Sequence, residues 1–150
     1  MRFVARTSRK TAADLLADAR SAIRRADPAT AWAAASAGEA LIVDIRSDDD
    51  RRRDGIVPGS LHLPRTVLEW RVDPESGWSN PHVVDSGRRL LLLCTHGWSS
   101  SLAAATLVGL GYADAGDVEG GFEAWRAAGL PRTPPTERPD GVMPGMMPPD

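Results

Sequence analysis

Short, nearly continuous apolar runs alternate with alanine-rich amphipathic stretches along the chain. "ALIVDIR" at residues 40–46 and "RLLLL" at 89–93 are apolar at almost every position. Runs this brief predict strands covered on both faces of a sheet. Between and beside them lie helical patterns. In "DPATAWAAASAG", Asp27 is a good N-cap, Pro28 suits the first helical position and Gly38 stops the helix. A second helix is predicted from about Ser100 to Leu110, closed by Gly111. A third, "GFEAWRAAG", ends at Gly129 with Pro131 behind it. "SLHLP" predicts a short strand after the Pro58-Gly59 turn, and another is predicted near Asp117-Val118. Residues 71–88, rich in Pro, Gly, Ser, Asn and Asp, read as loop. Strands alternating with helices in this way define an α/β protein built on a parallel sheet.

The two ends differ from this middle. Residues 1–26 form a basic N-terminal extension. Ala12, Leu15, Leu16, Ala19 and Ile23 fall near one face of a helix there, and a frayed basic arm fits the same composition. After Leu130, seven prolines in twenty residues and the Met-rich "VMPGMMPP" predict a disordered tail over 132–150. The charge run "SDDDRRRDG" puts acids before bases, so that Asp48–Arg51, Asp49–Arg52 and Asp50–Arg53 pair at i,i+3 on a solvated helical turn.

The totals narrow the classes open to the chain. At 150 residues, with 42% hydrophobic and 25% charged residues, it suits one globular domain. The net charge of −2 makes no case for nucleic acid or a membrane surface. No stretch reaches the roughly 18–20 apolar residues of a membrane span, and no secretory h-region follows Met1. The single cysteine excludes an intramolecular disulfide and suits a reducing cytoplasm.

That cysteine stands where the second strand gives way to a helix, in "LLLLCTHGWSSSLAAATL". In a parallel sheet, the carboxyl ends of strands facing helix N-termini are where ligands bind. Thr95, His96, Gly97, Trp98, Ser99 and Ser100 bridge strand to helix. If they curl around the sulfur, their N–H groups and the helix end stabilise a thiolate. A thiol of pKa near 8.5 falls to roughly 3.5–7.5 in such settings. The alternative is a small buried core residue without chemistry, since free cysteine is commonly core. His96 beside Cys94 makes too few ligands for a structural zinc, and His62 and His82 show no ligand spacing.

Several segments, in order, resemble the rhodanese-like sulfurtransferases. "LIVDIR" is similar to that family's strand ending in Asp-x-Arg, here Asp44 and Arg46. "GIVPGSLHLP" resembles its Gly-His-Ile-Pro-Gly-Ala…Ile-Pro segment, with Ile56 at the place of the His. "CTHGWSS" resembles its active-site loop, closest to the Cys-x-His-Gly-x-Ser-Ser form of small single-domain members, and "EGGFEAWRAAGLP" resembles its closing Gly-Gly…Trp…Gly-x-Pro. The likeness spans residues 27–131.

The resemblance implies a five-stranded parallel sheet flanked by helices. It implies Cys94 as a nucleophile that takes sulfane sulfur from thiosulfate or a low-molecular-weight persulfide and passes it to a thiol or thioredoxin-like acceptor. Residues 95–100 would bind the substrate, with Asp44 and Arg46 a structural pair nearby, and no metal or cofactor is implied. The loop departs from the family's pattern in carrying no Arg or Lys, although similar Cys-x-His-Gly-x-Ser loops occur in relatives that accept thiosulfate; its one ionisable group besides Cys94 is His96. A cysteine phosphatase or arsenate reductase of related fold would end the loop in Arg, where Ser100 stands. A non-catalytic module that binds a partner protein is the remaining alternative.

Overall fold

The computed structural model describes residue 5 and residues 8–135. The first residues of the basic extension and the tail from 136 onward lie outside them. Eleven elements follow in order: α1 (Ala12–Ala22), α2 (Pro28–Ser36), β1 (Ala40–Asp44), α3 (Asp48–Asp54), β2 (Leu61–His62), α4 (Leu68–Val72), α5 (Pro81–Val84), β3 (Arg89–Leu93), α6 (Ser99–Gly109), β4 (Gly116–Asp117) and α7 (Gly121–Ala127). The strands form one sheet in the order β2-β1-β3-β4, all parallel. Ala40 lies opposite Arg89 and Asp44 opposite Leu93, so β1 and β3 run side by side in full register.

The leucine run is explained by two cores. Leu90 and Leu92 of β3 join Leu41, Val43 and Ile45 on one face, against Ala103, Ala104 and Leu107 of α6. Leu91 and Leu93 join Ala40 and Ile42 on the other, against Phe122 and Trp125 of α7 and Ala31 of α2. Trp32 meets Trp125 edge-to-face at 5.7 Å, a favoured aromatic geometry. Cys94 keeps the parity of Leu90 and Leu92, so its sulfur emerges on the α6 side.

The extension is helical from Ala12. Thr11 and Asp14 form a reciprocal capping box that fixes the start of α1. Ala19 is buried and α1 packs along α6, although Leu15 is 49% exposed. Beyond α1, Arg24 N–H donates to Ala115 O, Ala26 N–H to Asp117 O, and Glu119 N–H to Ala26 O. This edge is where a fifth strand would lie. The sheet has four strands, not the five that the resemblance implied, and the fifth place is reduced to a parallel bridge between Ala26 and Val118. Residues 24–26, caught between the end of α1 and the Asp27 cap of α2, are too few for a ladder.

Two further expectations change. Residues 71–88 are not all loop, for α4 runs to Val72 and the Asn80-capped turn of α5 tucks Val83 into the core. The charge run does form α3, with Asp48–Arg51 and Asp49–Arg52 at 3.5 Å and Asp50–Arg53 at 2.9 Å. Arg51 is not fully solvated, however: its Nε lies 3.8 Å from the buried carboxylate of Asp44 and its side chain is 13% exposed. At the other end, Thr133 pairs with Ile56 across an antiparallel bridge.

His62 of β2 is buried, with Nε2 2.8 Å from Arg46 O. A carbonyl only accepts, so Nε2 carries the proton and donates. Burial pushes the imidazole below its ordinary value; the Arg46 carbonyl opposes this and Arg51 adds to it. His62 therefore stays neutral in the fold over a range where the unfolded chain takes up a proton. The stability this contributes is present above the unfolded value of about 6.5 and is lost as pH falls toward the folded one. Urea unfolding between about pH 7 and about pH 5 is expected to show a steeper loss of stability for the native chain than for His62→Gln, whose amide keeps a donor but does not titrate. Equal slopes would remove His62 as the cause.

Candidate active site

The site lies where the sheet changes direction. From β1 the chain moves outward to β2, and from β3 it moves the opposite way to β4, leaving a crevice beyond the carboxyl ends of β1 and β3. Such switch points are ligand sites in open parallel sheets. A pocket of about 280 Å³ opens there, lined from the β1 side by Ile45, Arg46, Ser47 and Asp50 and from the β3 side by Cys94, Thr95, His96, Trp98 and Ser99.

Residues 94–100 wrap around the sulfur. Gly97 N–H donates to Cys94 Sγ at 3.1 Å and Ser100 N–H at 3.3 Å. The thiol donates to Ser100 Oγ at 3.2 Å, which in turn donates to Asp117 Oδ2 at 2.7 Å. Cys94 is 8% exposed and is among the residues that line the pocket. Gly97 and Ser100 thus sit beneath the sulfur, while Thr95, His96, Trp98 and Ser99 face the pocket. The His96 and Trp98 rings stand 5.3 Å apart at the mouth, with Trp98 63% exposed.

The loop is held in this shape from below. Phe122 N–H donates to Cys94 O at 2.8 Å and Glu123 N–H to Thr95 O at 3.1 Å, so two unpaired donors at the start of α7 take the first two carbonyls. This approach requires Gly120 and Gly121. Gly121 has φ +63°, and a Cβ there would stand 2.5 Å from Cys94 O. Gly97 has φ +82°, and a Cβ there would stand 2.9 Å from Gly120 N. The glycines let two backbones touch where side chains would separate them.

Asp44 and Arg46 form a buried pair beside the pocket. Arg46 Nη2 reaches Asp44 Oδ2 at 2.8 Å and Gly55 O at 2.8 Å, and the guanidinium lies 4.0 Å over the Phe122 ring. The pair ties β1 to α3 and α7, and Arg46 also lines the pocket.

Four residues of this site carry no motif in the sequence. Asp117, fully buried at the end of β4, accepts from Ser100 and Ser101 and pairs with Arg25 Nε at 2.8 Å. Arg20 donates to Gly97 O at 2.9 Å and to Ser101 Oγ at 3.1 Å. The signals were faint: basic residues inside an extension, an acid in a two-residue strand, and a serine that looked like the first turn of a helix. Among the described residues no group of His, Cys, Asp or Glu is disposed to hold a metal ion, and no helix is long and apolar enough to cross a membrane.

Comparison with known proteins agrees with this fold. A family model, Rhodanese-like domain, matches residues 27–128. The chain belongs to the rhodanese-like domain family. It is 38% identical over 104 residues to thiosulfate sulfurtransferase GlpE of Pseudomonas savastanoi pv. phaseolicola, covering 69% of this chain and 88% of that one. Like such relatives, it is a sulfurtransferase. Among solved structures, a protein of unknown function from Rhodopseudomonas palustris, named as a possible tyrosine phosphatase, superposes with a TM-score of 0.79 at 33% identity, covering 89% of this chain and 99% of that one. The polysulfide-sulfur transferase of Wolinella succinogenes, at 22% identity and a TM-score of 0.61 over 82% of this chain and 87% of that one, shows the shared fold alone.

The contact between the loop and α7 has a measurable cost. Gly121→Ala is expected to lose about 2 kcal/mol or more relative to Gly77→Ala in urea unfolding. Both glycines have positive φ, but a Cβ at Gly77 meets nothing within 4 Å. Equal losses would mean that the close approach to Cys94 O is not tight.

Proposed function

We propose that Cys94 is the nucleophile of a sulfane-sulfur transfer, carried by one observation: its sulfur sits at the floor of a pocket and accepts two backbone N–H groups. In the first half-reaction the thiolate attacks the outer sulfur of thiosulfate. The sulfur–sulfur bond breaks, sulfite leaves with its electron pair, and a Cys94 persulfide anion remains. With a low-molecular-weight persulfide as donor the leaving group is the parent thiolate. In the second half-reaction a thiol, a thioredoxin-like protein or cyanide attacks the outer sulfur and Cys94 departs as thiolate.

The surroundings supply what these anions need. On ionisation the Ser100 hydroxyl turns its proton from Asp117 to the sulfur, and Asp117 keeps Ser101 and Arg25. The N–H groups of Trp98 and Ser99 have no acceptor among the described residues and adjoin the pocket; they are the donors for the outer sulfur. His96 and Trp98 shape the entrance, and Asp44–Arg46 keeps the β1 wall rigid. A reducing cytoplasm is the compartment such a thiol suits. A phosphatase reading, prompted by the name of the R. palustris protein, lacks a loop arginine for phosphoryl oxygens, because Ser100 occupies that place.

Treated with thiosulfate or glutathione persulfide, the protein is expected to gain one sulfur atom at Cys94 and stop. With a single cysteine no internal disulfide can discharge it. Mass spectrometry reads this directly. Cys94→Ser is expected to fold, take up no sulfur and show no cyanolysis. Sulfur uptake or turnover by that variant defeats the mechanism.

The donor preference follows from charge. No cationic side chain of the loop faces the pocket, and Arg46 on its β1 wall is engaged by Asp44 and Gly55 O, so thiosulfate, a dianion, is bound chiefly by amides and hydroxyls, and a persulfide donor is expected to be used better. Ser99 is exposed and lines the pocket. Ser99→Arg is expected to lower the KM for thiosulfate about tenfold, the size of one charge-assisted hydrogen bond, and to change that for a persulfide less. Ready saturation of the native enzyme by thiosulfate, with no gain in Ser99→Arg, would show that the amides suffice.

A further inference from the structure

We propose that Arg20 and Arg25, which precede the stretch matched by the family model, are positioning residues of the active site: they hold the Gly97–Trp98 peptide with its N–H turned to the pocket and place behind the loop the positive charge that the loop lacks.

The geometry converges on a single atom. Arg20 reaches Gly97 O at 2.9 Å from the last turn of α1, and Arg25 reaches the same oxygen at 3.4 Å from the segment between α1 and α2. Ser101 Oγ lies 3.1 Å from it as well and is itself held by Arg20 Nε. The described peptides are all trans, and a trans peptide is planar with C=O and N–H opposed. A carbonyl fixed toward the arginines therefore directs Trp98 N–H the other way, toward the pocket that Trp98 lines.

This peptide needs such a restraint. Gly97, at φ +82°, has no side chain to favour one orientation of the following peptide over its flip. Cys94 O and Thr95 O are fixed by α7, and Trp98 O by N–H groups of α6. Gly97 O receives no backbone N–H among the described residues, and the two arginines take that place.

The charges around the sulfur also balance differently from what the loop alone implies. Behind it stand Arg20, Arg25 and the carboxylate of Asp117. In front stand Asp44 paired with Arg46 and approached by Arg51, which also pairs with Asp48, together with Asp50 paired with Arg53, and His96. The rear group is positive by one charge with Asp117 ionised, and it is partly or wholly buried, where screening is weak.

The inference rests on the sulfur-transfer reading in its kinetic arm alone. Arg20 is half-buried and in no ion pair among the described residues, so Arg20→Met keeps the stem packed against α6 and leaves Arg25–Asp117 intact. At neutral pH, with folding checked by circular dichroism, iodoacetamide is expected to alkylate Cys94 of Arg20→Met roughly tenfold more slowly than the native thiol, the factor equivalent to one charge-assisted hydrogen bond. The KM for thiosulfate is expected to rise more than kcat falls, and Arg20→Lys to recover part of both. Native alkylation and an unchanged KM in Arg20→Met, even with a lowered melting temperature, would mean that Arg20 only ties α1 to α6, and would overturn the proposal. Failure of the sulfur-transfer reading looks different: the native protein takes up no sulfur, yet alkylation still separates Arg20→Met from it.

Discussion

The arrangement around Cys94 depends on the direction in which the loop carbonyls point. Those of Cys94 and Thr95 are taken by the start of α7, that of Gly97 by arginine side chains, and that of Trp98 by the first turn of α6. Each peptide is planar, so a carbonyl drawn outward turns the next N–H inward. A ring of loop amides is thus built without a cationic side chain in it. The fold supplies donors on the outside that take these carbonyls, and the N–H groups of Trp98 and Ser99 turn toward the pocket as a consequence, while those of Gly97 and Ser100 reach the sulfur.

The rest of the molecule sets up that constraint. Parity along β3 sends Leu91 and Leu93 to the α7 face and Cys94 to the α6 face, so a strand buried from Leu90 to Leu93 delivers the thiol to the mouth of the sheet. The divergence of β1–β2 from β3–β4 opens the crevice there. Gly120 and Gly121 let α7 start directly beneath the loop, and the buried Arg46, lying over Phe122, fixes the opposite wall to the same helix. Removing Asp44 would strand the buried Arg46 charge, at about 3–5 kcal/mol. The pocket wall and the fold are therefore held by the same interactions.

Much of this was legible in the sequence because it is local. The buried strands, the Asp27 and Gly38 boundaries of α2, and the loop from Cys94 to Ser100 are each encoded within a few residues. What escaped was long-range. Arg20 and Arg25 meet the loop more than seventy positions away in the chain, and Asp117 matters because β4 delivers it beneath Ser100. No periodicity or spacing reports such meetings. The loss of the fifth strand has a similar origin: whether residues 24–26 make a ladder or a single bridge depends on where α1 ends and α2 is capped. Arg51 shows the opposite error, a residue in a solvated-looking charge run that turns inward because Asp44 is within reach.

The central claim is that the ring of loop amides receives the transferred sulfur. A crystal structure of the protein after a thiosulfate or persulfide soak tests it most directly. The account predicts a persulfide on Cys94 whose outer sulfur lies within hydrogen-bonding distance of Trp98 N–H and Ser99 N–H, with Gly97 O still on Arg20. An outer sulfur turned away from the loop, or a flipped Gly97–Trp98 peptide in the loaded state, would contradict it.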